Sequence, residues 1–483
     1  MNHYLPKNNK LPADKISHFI RDYKGSLPIF FDSEVHAERM LGQGSFCAAW
    51  TIRQVHLYTD ERAYRLPNQK NRQHLCERIN AANKKRGSEK SKTPPLRCVV
   101  TKLRTDLLAQ FDKYDRGQED IKADLKILAR IGTGEHPNII ELHGIGTSSI
   151  DHENNEKENN DGITFRPSFL ILSRIRYTGE DLLLQWNEKR GMRVMQALTI
   201  DQENIHKLWL ERMSLLADVA DALAYIHSKR IIYLDLKPAN VGTDYHGVVK
   251  LFDFGLAKLM EKEGHRLNKL WRLSGDCGTQ RYMSPEVGKC KKYGHSADVY
   301  SLAIFMHQVL TLRTPYSNIP SSRSFKEQVF HKHVRPAMES AWPGRLRDLL
   351  QSMWQPDPLQ RPTAAEVAKA LDEMIKGPEE EFYPSAVFSK ERWFPTKEQE
   401  ATDDDLGPSS GGLFSKIRLF PATQGQEESS EEDLIPPGGL FSRNRWFPGK
   451  EQEDVSDEDP SPPGLFSKNR WFAAKEPEKA PGS

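Results

Sequence analysis

The chain has 483 residues, and its 69 lysines and arginines against 67 aspartates and glutamates leave a net charge of +2. A charge this close to zero gives no reason to expect nucleic acid as a partner. No apolar stretch approaches the ~18 residues that a membrane span needs, and the first residues lack the pattern of a secretory signal. The five cysteines show no paired spacing, which is typical of a reducing compartment. We therefore expect an intracellular protein, cytoplasmic and/or nuclear and not secreted, with room for two or three domains.

The first part of the chain predicts strands that are interrupted by polar stretches. Residues 1–34 are mixed in character and are expected to form an N-terminal extension. Segment 40–46, MLGQGSF, predicts a strand, a glycine turn and the start of a second strand. Residues 57–96 are polar and basic, which predicts an inserted loop, with nuclear import through Lys84-Lys85-Arg86 as the less favoured alternative. The apolar residues in segment 97–102 predict a strand that ends in a lysine.

Further along, the pattern predicts one buried strand and several helices. Apolar residues recur at helical spacing from Gln118 to Ile131. Residues 150–161 form an acidic, polar insertion. The remaining predicted elements are the strand 169–172, a long helix with Leu216, Val219, Leu223 and Ile226 on one side, an apolar helix opening at 297–304, and a closing helix from 363 to 374 that Thr363 caps.

The most specific pattern is an aspartate five residues before an asparagine, with a second aspartate shortly before a glycine. Residues 233–240 read YLDLKPAN, and Asp253-Phe254-Gly255 follow them. These carboxylate and amide groups are suited to holding a hydroxyl, Mg²⁺ and a nucleotide phosphate together. An Asp-x-x-x-x-Asn pair is common by chance, but the two motifs in this order and spacing form a strong signal. From about residue 35 to residue 376, the chain resembles the eukaryotic protein kinases of the serine/threonine type.

This resemblance implies an α+β, bilobal fold. A β-rich N-lobe would reach to about residue 172, and a helical C-lobe would span residues 173–376. It also implies ATP and Mg²⁺ as cofactors and proteins as substrates.

The resemblance assigns the chemical step to five residues. Asp235 would accept the proton of the substrate hydroxyl, and Lys237 would neutralise the moving phosphoryl group. Asn240 and Asp253 would bind Mg²⁺. Thr279 would form hydrogen bonds near Asp235 and Lys237.

A second group would bind the nucleotide. The glycine turn would let backbone N–H groups approach phosphate oxygens, with an ordinary hairpin as the alternative. Lys102 would contact the α- and β-phosphates, with a surface lysine as the alternative, and Asp124 stands in place of the helix glutamate that would pair with it. Leu172 would lie at the back of the adenine pocket. The candidates are Leu41, Gly42, Gln43, Gly44, Ser45, Phe46, Ala49, Lys102, Asp124 and Leu172.

Three departures from the family pattern carry predictions. Cys47 replaces the usual third glycine, and a packed, inert thiol is favoured over one that makes activity sensitive to oxidation. Leu234 replaces the arginine before Asp235, so activity is expected to depend little on phosphorylation around Ser274. Gly242 replaces a bulky apolar residue, which predicts an enlarged base pocket or weaker nucleotide binding.

The segment from Asp253 to Glu286 resembles an activation segment. In this pattern Glu286 would form a structural ion pair with Arg361. Asp298 would brace the backbone of the catalytic loop.

Residues 377–483 are rich in Pro, Gly, Ser, Glu and Asp, and this composition predicts a disordered tail. Phe, Ser, two basic positions and a final Phe recur in four LFSKxRWF-like repeats. We expect a short linear motif that binds a multivalent partner, with drifted duplications in a passive tail as the alternative. The copies are VFSKERWF (387–394), LFSKIRLF (413–420), LFSRNRWF (440–447) and LFSKNRWF (465–472).

Taken together, the motifs predict transfer of the ATP γ-phosphoryl group to serine or threonine of protein substrates. The alternative from another class is a pseudokinase scaffold that recruits partners through its tail. The departures from the family pattern favour that alternative, namely Cys47, Asp124, Leu234 and Gly242. The intact catalytic and nucleotide-binding residues oppose it, namely Lys102, Asp235, Asn240 and Asp253. Phosphorylation of a small molecule is disfavoured by the resemblance of residues 279–286 to a protein-docking segment.

Overall fold

A computed structural model describes residues 27–43, 46–58, 68–83, 96–107, 110–147, 167–195, 202–260, 270–271, 273, 275, 277–378 and 382–384. The acidic insertion 150–161, the four tail repeats and Ser274 lie outside the described residues. Gly44 and Ser45 of the glycine turn lie outside them as well.

The first lobe is built on a six-stranded sheet with the order β1-β5-β6-β4-β3-β2. Neighbouring strands are antiparallel except β1 and β5, which are parallel. Strands β4 and β6 are apolar over most of their length, which fits a sheet that is covered on both faces. The strands are β1 (Ile29–Phe31), β2 (Val35–Gln43), β3 (Cys47–Val55), β4 (Cys98–Leu103), β5 (Leu142–Thr147) and β6 (Pro167–Ser173).

Helix α1 (Gln69–Asn83) covers one face of this sheet, although the sequence predicted a loop over residues 57–96. That prediction was wrong here because most residues of the helix are polar, so the sequence shows only a weak apolar pattern. The buried apolar residues are Leu75, Cys76 and Ile79. They pack in one cluster with the sheet residues Phe30, Ile52, Val100, Phe169 and Ile171. We refer to this side of the sheet as the α1 face.

Helix α2 (Phe111–Ile131) covers the opposite side, which we refer to as the α2 face. It contains the predicted helix 118–131 and begins earlier. Its buried residues Ile121, Leu125 and Leu128 belong to the core that also includes Val99, Leu170 and Leu172 of the sheet.

A buried ion pair ties α1 to the first strands. Arg72 Nη2 lies 2.6 Å from Glu34 Oε1, and both side chains are fully buried. Glu34 also accepts hydrogen bonds of 2.9 Å from the backbone N–H groups of Phe31 and Tyr58. Strand β1 and this ion pair thus attach residues before position 35 to the sheet.

The second lobe is helical, as predicted. The four apolar residues that predicted its long helix (Gln202–Ser228), namely Leu216, Val219, Leu223 and Ile226, are all buried. The predicted cap of helix α9 is confirmed: Thr363 Oγ1 accepts the N–H of Glu366 at 3.2 Å, and the Glu366 carboxylate accepts the N–H of Thr363 at 2.7 Å. The helices are α3 (Gly179–Met195), α4 (Gln202–Ser228), α5 (Pro285–Gly288), α6 (Ser296–Thr311), α7 (Ser322–Phe325), α8 (Gly344–Met353) and α9 (Ala364–Lys376).

Two small sheets lie where the lobes meet. One has the order β10-β9-β7 and the other pairs β11 with β8, the strands being β7 (Tyr177–Thr178), β8 (Ile231–Ile232), β9 (Val241–Thr243), β10 (Val249–Leu251) and β11 (Lys258–Leu259). Residues 174–176 connect β6 to β7. The backbone N–H of Ile140 donates to the carbonyl of Leu251 at 3.0 Å, and the N–H of Leu251 donates to the carbonyl of Asn138 at 2.8 Å. The predicted α+β fold with two lobes is therefore confirmed. Within the described ranges, no helix is long and apolar enough to cross a membrane.

Candidate active site

The loop that carries Asp235 is held by a buried aspartate beneath it. Asp298, on α6, accepts the backbone N–H groups of Tyr233 and Leu234, each at 2.8 Å, and contacts His227 Nε2 at the same distance. Its side chain is completely buried. The predicted bracing role of Asp298 is thus confirmed, and the brace fixes the loop at Leu234, whose φ is +69°.

Three predicted residues converge on the carboxylate of Asp235. Oδ1 accepts hydrogen bonds from Thr279, at 3.0 Å from its backbone N–H and 2.8 Å from its hydroxyl. Oδ2 accepts hydrogen bonds from Lys237 Nζ at 2.6 Å and from Asn240 Nδ2 at 3.0 Å. Lys237 Nζ also donates to Thr279 Oγ1 at 3.0 Å. Four donors therefore fix the orientation of a carboxylate that is nearly buried in the loop.

Asn240 and Asp253 present oxygen atoms on the neighbouring side of the loop. Asn240 Nδ2 donates to the carbonyl of Asp235 at 2.9 Å, and Asn240 Oδ1 is buried without a hydrogen-bond partner among the described residues. The N–H of Phe252 donates to the carbonyl of Asn240 at 3.1 Å, which brings Asp253 alongside. Asp253 itself has a φ of +68°, and its Oδ1 accepts the N–H of Gly255 at 3.3 Å.

This oxygen set fits a magnesium ion. Mg²⁺ prefers oxygen ligands and is often held by one or two protein groups together with substrate phosphates and water. The part of the chain that the structure describes contains no cluster of three or more His, Cys, Asp or Glu side chains suited to a metal. Asn240 and Asp253 could therefore supply two of the ligands of the ion, and nucleotide phosphates and water would supply the others.

Tyr233 links the catalytic loop to the segment that carries Asp253, a role that the sequence analysis missed. Its hydroxyl donates to the backbone carbonyl of Phe252, and its ring contacts the ring of Phe254 edge-on at 5.3 Å. Burial raises the pKa of the Tyr233 hydroxyl well above its ordinary value, and the nearby carboxylates of Asp253 and Asp235 raise the pKa further. The hydroxyl therefore stays protonated and remains a donor.

Leu234, which the resemblance aligns with the family's arginine, is buried rather than turned toward solvent. Its carbonyl oxygen lies 2.6 Å from where a Cβ would stand on Gly278, whose φ is +102°. Glycine is needed at 278 both for this approach and for this backbone conformation. The predicted independence from phosphorylation remains a prediction.

Strands β2 and β3, which flank the glycine turn in the sequence, pair antiparallel, so the two predicted strands are confirmed, while Gly44 and Ser45 of the turn lie outside the described residues. Gly42 pairs with Ala49, and Gln43 pairs with Ala48. Leu41 and Phe46 pack in the core of the α2 face. Ala49 in turn pairs with Thr101 of β4.

Lys102 and Asp124 are not brought together in the structure. Val100, one residue before Thr101, packs on the α1 face, and side chains alternate along a strand, so Lys102 also points to that face. Lys102 Nζ lies 2.8 Å from Asp32 Oδ1 and 5.0 Å from the centre of the Phe169 ring.

On the α2 face, the strand presents Thr101 instead, whose hydroxyl contacts the carbonyl of Leu170 at 3.4 Å. Asp124 is buried on α2. The expected pair of Lys102 with Asp124 is therefore replaced by a pair with Asp32. A phosphate contact by Lys102 remains a hypothesis.

Two positions that the sequence assigned to a base pocket, Leu172 and Gly242, are both closely packed. Leu172 is buried and pairs with Val99 and Leu142 in the sheet. A Cβ on Gly242 would stand 2.5 Å from the carbonyl oxygen of Tyr177 and 2.6 Å from Ile175 Cγ2. The predicted enlargement of the base pocket is thus not found, because Ile175 from the connection between the lobes fills the space.

A buried ion pair supports the end of the activation segment. Arg361 Nη1 and Nη2 donate to the two carboxylate oxygens of Glu286 at 2.6 and 3.0 Å. The predicted pair is confirmed, and its bidentate geometry joins helix α5 to the segment that precedes α9.

The two-lobed fold and the contacts around Asp235 define the class of protein. Residues 108–371, more than half of the chain, match the protein kinase domain, so the chain belongs to the protein kinase family. The matched region contains the catalytic loop and the activation segment. It begins after β4 and therefore leaves out the glycine turn and Lys102.

Several curated proteins are similar to parts of the chain. It is 37% identical over 159 residues to serine/threonine-protein kinase STY17 of Arabidopsis thaliana, which covers 33% of this chain and 26% of that protein. It is 37% identical over 153 residues to dual specificity protein kinase shkB of Dictyostelium discoideum, covering 32% of this chain and 23% of that protein. A longer match, 26% identical over 320 residues, joins it to mitogen-activated protein kinase kinase kinase 7 of Drosophila melanogaster, with 63% and 40% covered. The chain thus spans about a quarter of the length of the first two relatives.

Proposed function

We propose that this protein transfers the γ-phosphoryl group of ATP to serine or threonine hydroxyls of protein substrates. The observation that supports this most directly is the convergence of Lys237, Asn240 and Thr279 on the carboxylate of Asp235. This arrangement lies beside the buried oxygens of Asn240 and Asp253, which suit a metal-bound nucleotide. The names of the relatives, both serine/threonine and dual-specificity kinases, agree with it.

In this proposal, Asp235 orients the substrate hydroxyl and accepts its proton as the oxygen bonds to the γ-phosphorus, while the bond from that phosphorus to the β–γ bridging oxygen breaks and ADP leaves. Thr279 and Asn240 keep the carboxylate in place, and Lys237 lies within hydrogen-bond distance of Asp235, where its charge opposes the negative charge of the phosphoryl group in transit. Tyr233 holds the Asp253 segment against the loop.

Asn240 and Asp253 would hold Mg²⁺, which, when bound, neutralises charge on the nucleotide phosphates. The residues around Leu41, Ala49 and Leu172 would enclose the nucleotide, with the glycine turn over the phosphates. Lys102 is kept as a candidate phosphate contact.

The test is transfer of labelled phosphate from ATP with Mg²⁺ to a peptide array with serine, threonine and tyrosine acceptors. Asp235→Asn should lower the rate by ~10²–10⁴-fold, the usual contribution of a general base. Asp372→Asn changes a half-buried carboxylate on α9 that pairs with Lys376, away from the catalytic loop, and should leave the rate unchanged. A folded protein that neither binds ATP nor labels any peptide would contradict the proposal, and labelling restricted to tyrosine would contradict the acceptor class.

The second candidate is a pseudokinase scaffold. It is favoured by one observation, the placement of Lys102 on the α1 face, away from Asp124. In that case the protein binds partners without transferring phosphate. The labelling experiment separates the two, because a scaffold shows no transfer that depends on Asp235.

Three further assignments are proposals on the same basis. We propose, first, a kinase domain over residues 35–376, with the preceding strand β1 paired to its strand β5. We propose, second, a tail over residues 377–483 whose four repeats bind a multivalent partner. We also propose a reducing intracellular compartment, cytoplasmic and/or nuclear, since the cysteines in the described part of the chain form no disulfide there. Pull-down with the tail repeats intact or with their aromatic residues changed to alanine tests the partner assignment.

A further inference from the structure

The α1 face of the first lobe contains a cavity that the catalytic cleft does not use. Its volume is about 360 Å³, and it opens between strands β2–β4 and the end of α1. The charged and polar residues that line it are Glu38, Arg39, Thr51, Asn83, Arg97 and Arg174. Three guanidinium groups thus face one carboxylate, and the cavity has a net positive charge.

Two of these arginines, Arg97 and Arg174, lie near the ring of Tyr245, together with one further arginine, Arg176. The guanidinium carbon of Arg97 lies 4.3 Å from the centre of the Tyr245 ring, that of Arg174 lies 5.5 Å away, and that of Arg176 lies 5.8 Å away. The N–H of Arg174 donates to the carbonyl of Arg97 at 3.0 Å, so the backbone holds two of these arginines side by side. Three arginines therefore lie around one ring, and such a group of cations attracts an anion such as phosphate.

Arginine recognises phosphate through two parallel hydrogen bonds, and clusters of arginine are a recurrent way of binding phosphorylated peptides. Among the described residues, Arg97 has no carboxylate within ion-pair distance, so its donors are available to a ligand. The cavity volume of about 360 Å³ is in the range that small-molecule sites have, and Arg97 on its wall is exposed. We propose that this cavity, which we call the Arg97 pocket, binds a phosphorylated serine or threonine that is flanked by acidic residues.

The chain itself supplies a suitable probe. Residues 427–433 read EESSEED, which places Ser429 and Ser430 among five acidic residues. A peptide of residues 424–435 with both serines phosphorylated is strongly negative, which is opposite in sign to the positive lining of the pocket. Free phosphoserine distinguishes recognition of a peptide from recognition of any small phosphate compound.

The experiment measures binding of the fluorescent phosphopeptide to the full chain by anisotropy. We expect binding that Arg97→Gln weakens by ~10-fold or more, as for the loss of one charge-assisted bidentate contact. Arg347→Gln changes an exposed arginine on α8, remote from the pocket, and is expected to leave the affinity unchanged. The unphosphorylated peptide and free phosphoserine should each bind at least ~10-fold more weakly than the phosphopeptide.

Several outcomes would overturn the proposal. These are no binding of the phosphopeptide, equal affinity for its unphosphorylated form, equal affinity of Arg97→Gln and the wild type, or equal affinity for free phosphoserine. Arg97 is exposed, and a thermal melt of Arg97→Gln matching the wild type shows that the variant is folded. Because the assay measures binding in the absence of ATP, it succeeds or fails independently of the catalytic proposal, and Asp235→Asn protein can be used for it.

Discussion

Lys102 pairs with Asp32 across 2.8 Å on the α1 face, while Asp124 is buried on the other side of the sheet. The pair is partly open to solvent, with 21% of the lysine side chain and 54% of the aspartate side chain exposed. Such pairs contribute ~0–1 kcal/mol to the free energy of unfolding. The geometry therefore gives Lys102 a modest structural role and separates it from the group around Asp235.

From this placement we predict that Lys102→Met lowers kcat/KM by less than ~10-fold, which corresponds to under ~1.4 kcal/mol of transition-state stabilisation. Steady-state phosphotransfer kinetics provide the measurement. Asp32→Asn serves as the control because it removes the same ion pair from the other side. A loss of ~100-fold or more in Lys102→Met alone would restore the phosphate contact inferred from the sequence.

Thr279 is predicted to act through its hydroxyl, which donates to Asp235 Oδ1 at 2.8 Å. Thr279→Ala keeps the backbone donor but removes the hydroxyl, and we expect kcat to fall ~10-fold, equivalent to about 1.4 kcal/mol. Thr279→Ser restores the hydroxyl and should recover most of the rate. Equal activity of the alanine and serine variants would show that this hydrogen bond does not matter for catalysis.

Gly278 is predicted to be intolerant of any side chain. Its φ of +102° opposes alanine, and so does the carbonyl oxygen of Leu234, which lies 2.6 Å from the position that a Cβ would take. We expect Gly278→Ala to lower the free energy of unfolding by ~1–3 kcal/mol and to impair phosphotransfer, because the strain falls on the catalytic loop. Urea unfolding measures the effect. Gly344→Ala, where a Cβ would meet nothing within 4 Å, should change stability by no more than ~0.5 kcal/mol.

The ion pair of Arg361 with Glu286 is predicted to be sensitive to loss of one partner. Both side chains are nearly inaccessible, so Arg361→Met leaves a buried carboxylate without its cation and should cost ~3–5 kcal/mol of unfolding free energy. Arg345→Met breaks the exposed pair with Glu373, which is 3.2 Å apart, and should cost at most ~1 kcal/mol. Similar midpoints of chemical unfolding for the two variants would argue against a buried ion pair at 286.

We predict that the buried His143 makes the stability of the protein depend on pH. Burial lowers the pKa of His143 from 6.5 to about 4, an effect that Glu141 offsets only partly. Between these values the unfolded chain binds the proton more readily than the folded protein. The free energy of unfolding should therefore fall as the pH is lowered from 6.5 toward 4. Above pH 6.5, His143 is neutral in both states and should cause no pH dependence.

The measurement for His143 is the difference in unfolding free energy between wild type and His143→Gln across that range. Glutamine can keep a hydrogen bond to Ser173 Oγ, which lies 2.7 Å from His143 Nε2, but it does not titrate. The wild type should lose stability relative to the variant as the pH falls. Parallel pH profiles would mean that His143 titrates normally in the folded protein.

Much of the site could be predicted from the sequence because its chemistry depends on short spacings. Asp235, Lys237 and Asn240 lie within six residues, so the local loop brings them together once Asp298 holds its backbone. The cap of Thr363 on α9 is equally local. Motifs of this kind keep their meaning because few conformations satisfy them.

Other features could be decided only by packing over long separations. The face to which Lys102 points depends on how β4 pairs with β3 and β6, and a shift of one residue would turn every side chain to the opposite face. Helix α1 has a mostly polar sequence, and its few apolar residues stabilise it only because they pack against the sheet. Ile175 fills the space beside Gly242 from 67 residues away in the chain. Local composition specifies the catalytic loop, whereas register and burial, which are properties of the whole fold, decide the nucleotide side of the cleft.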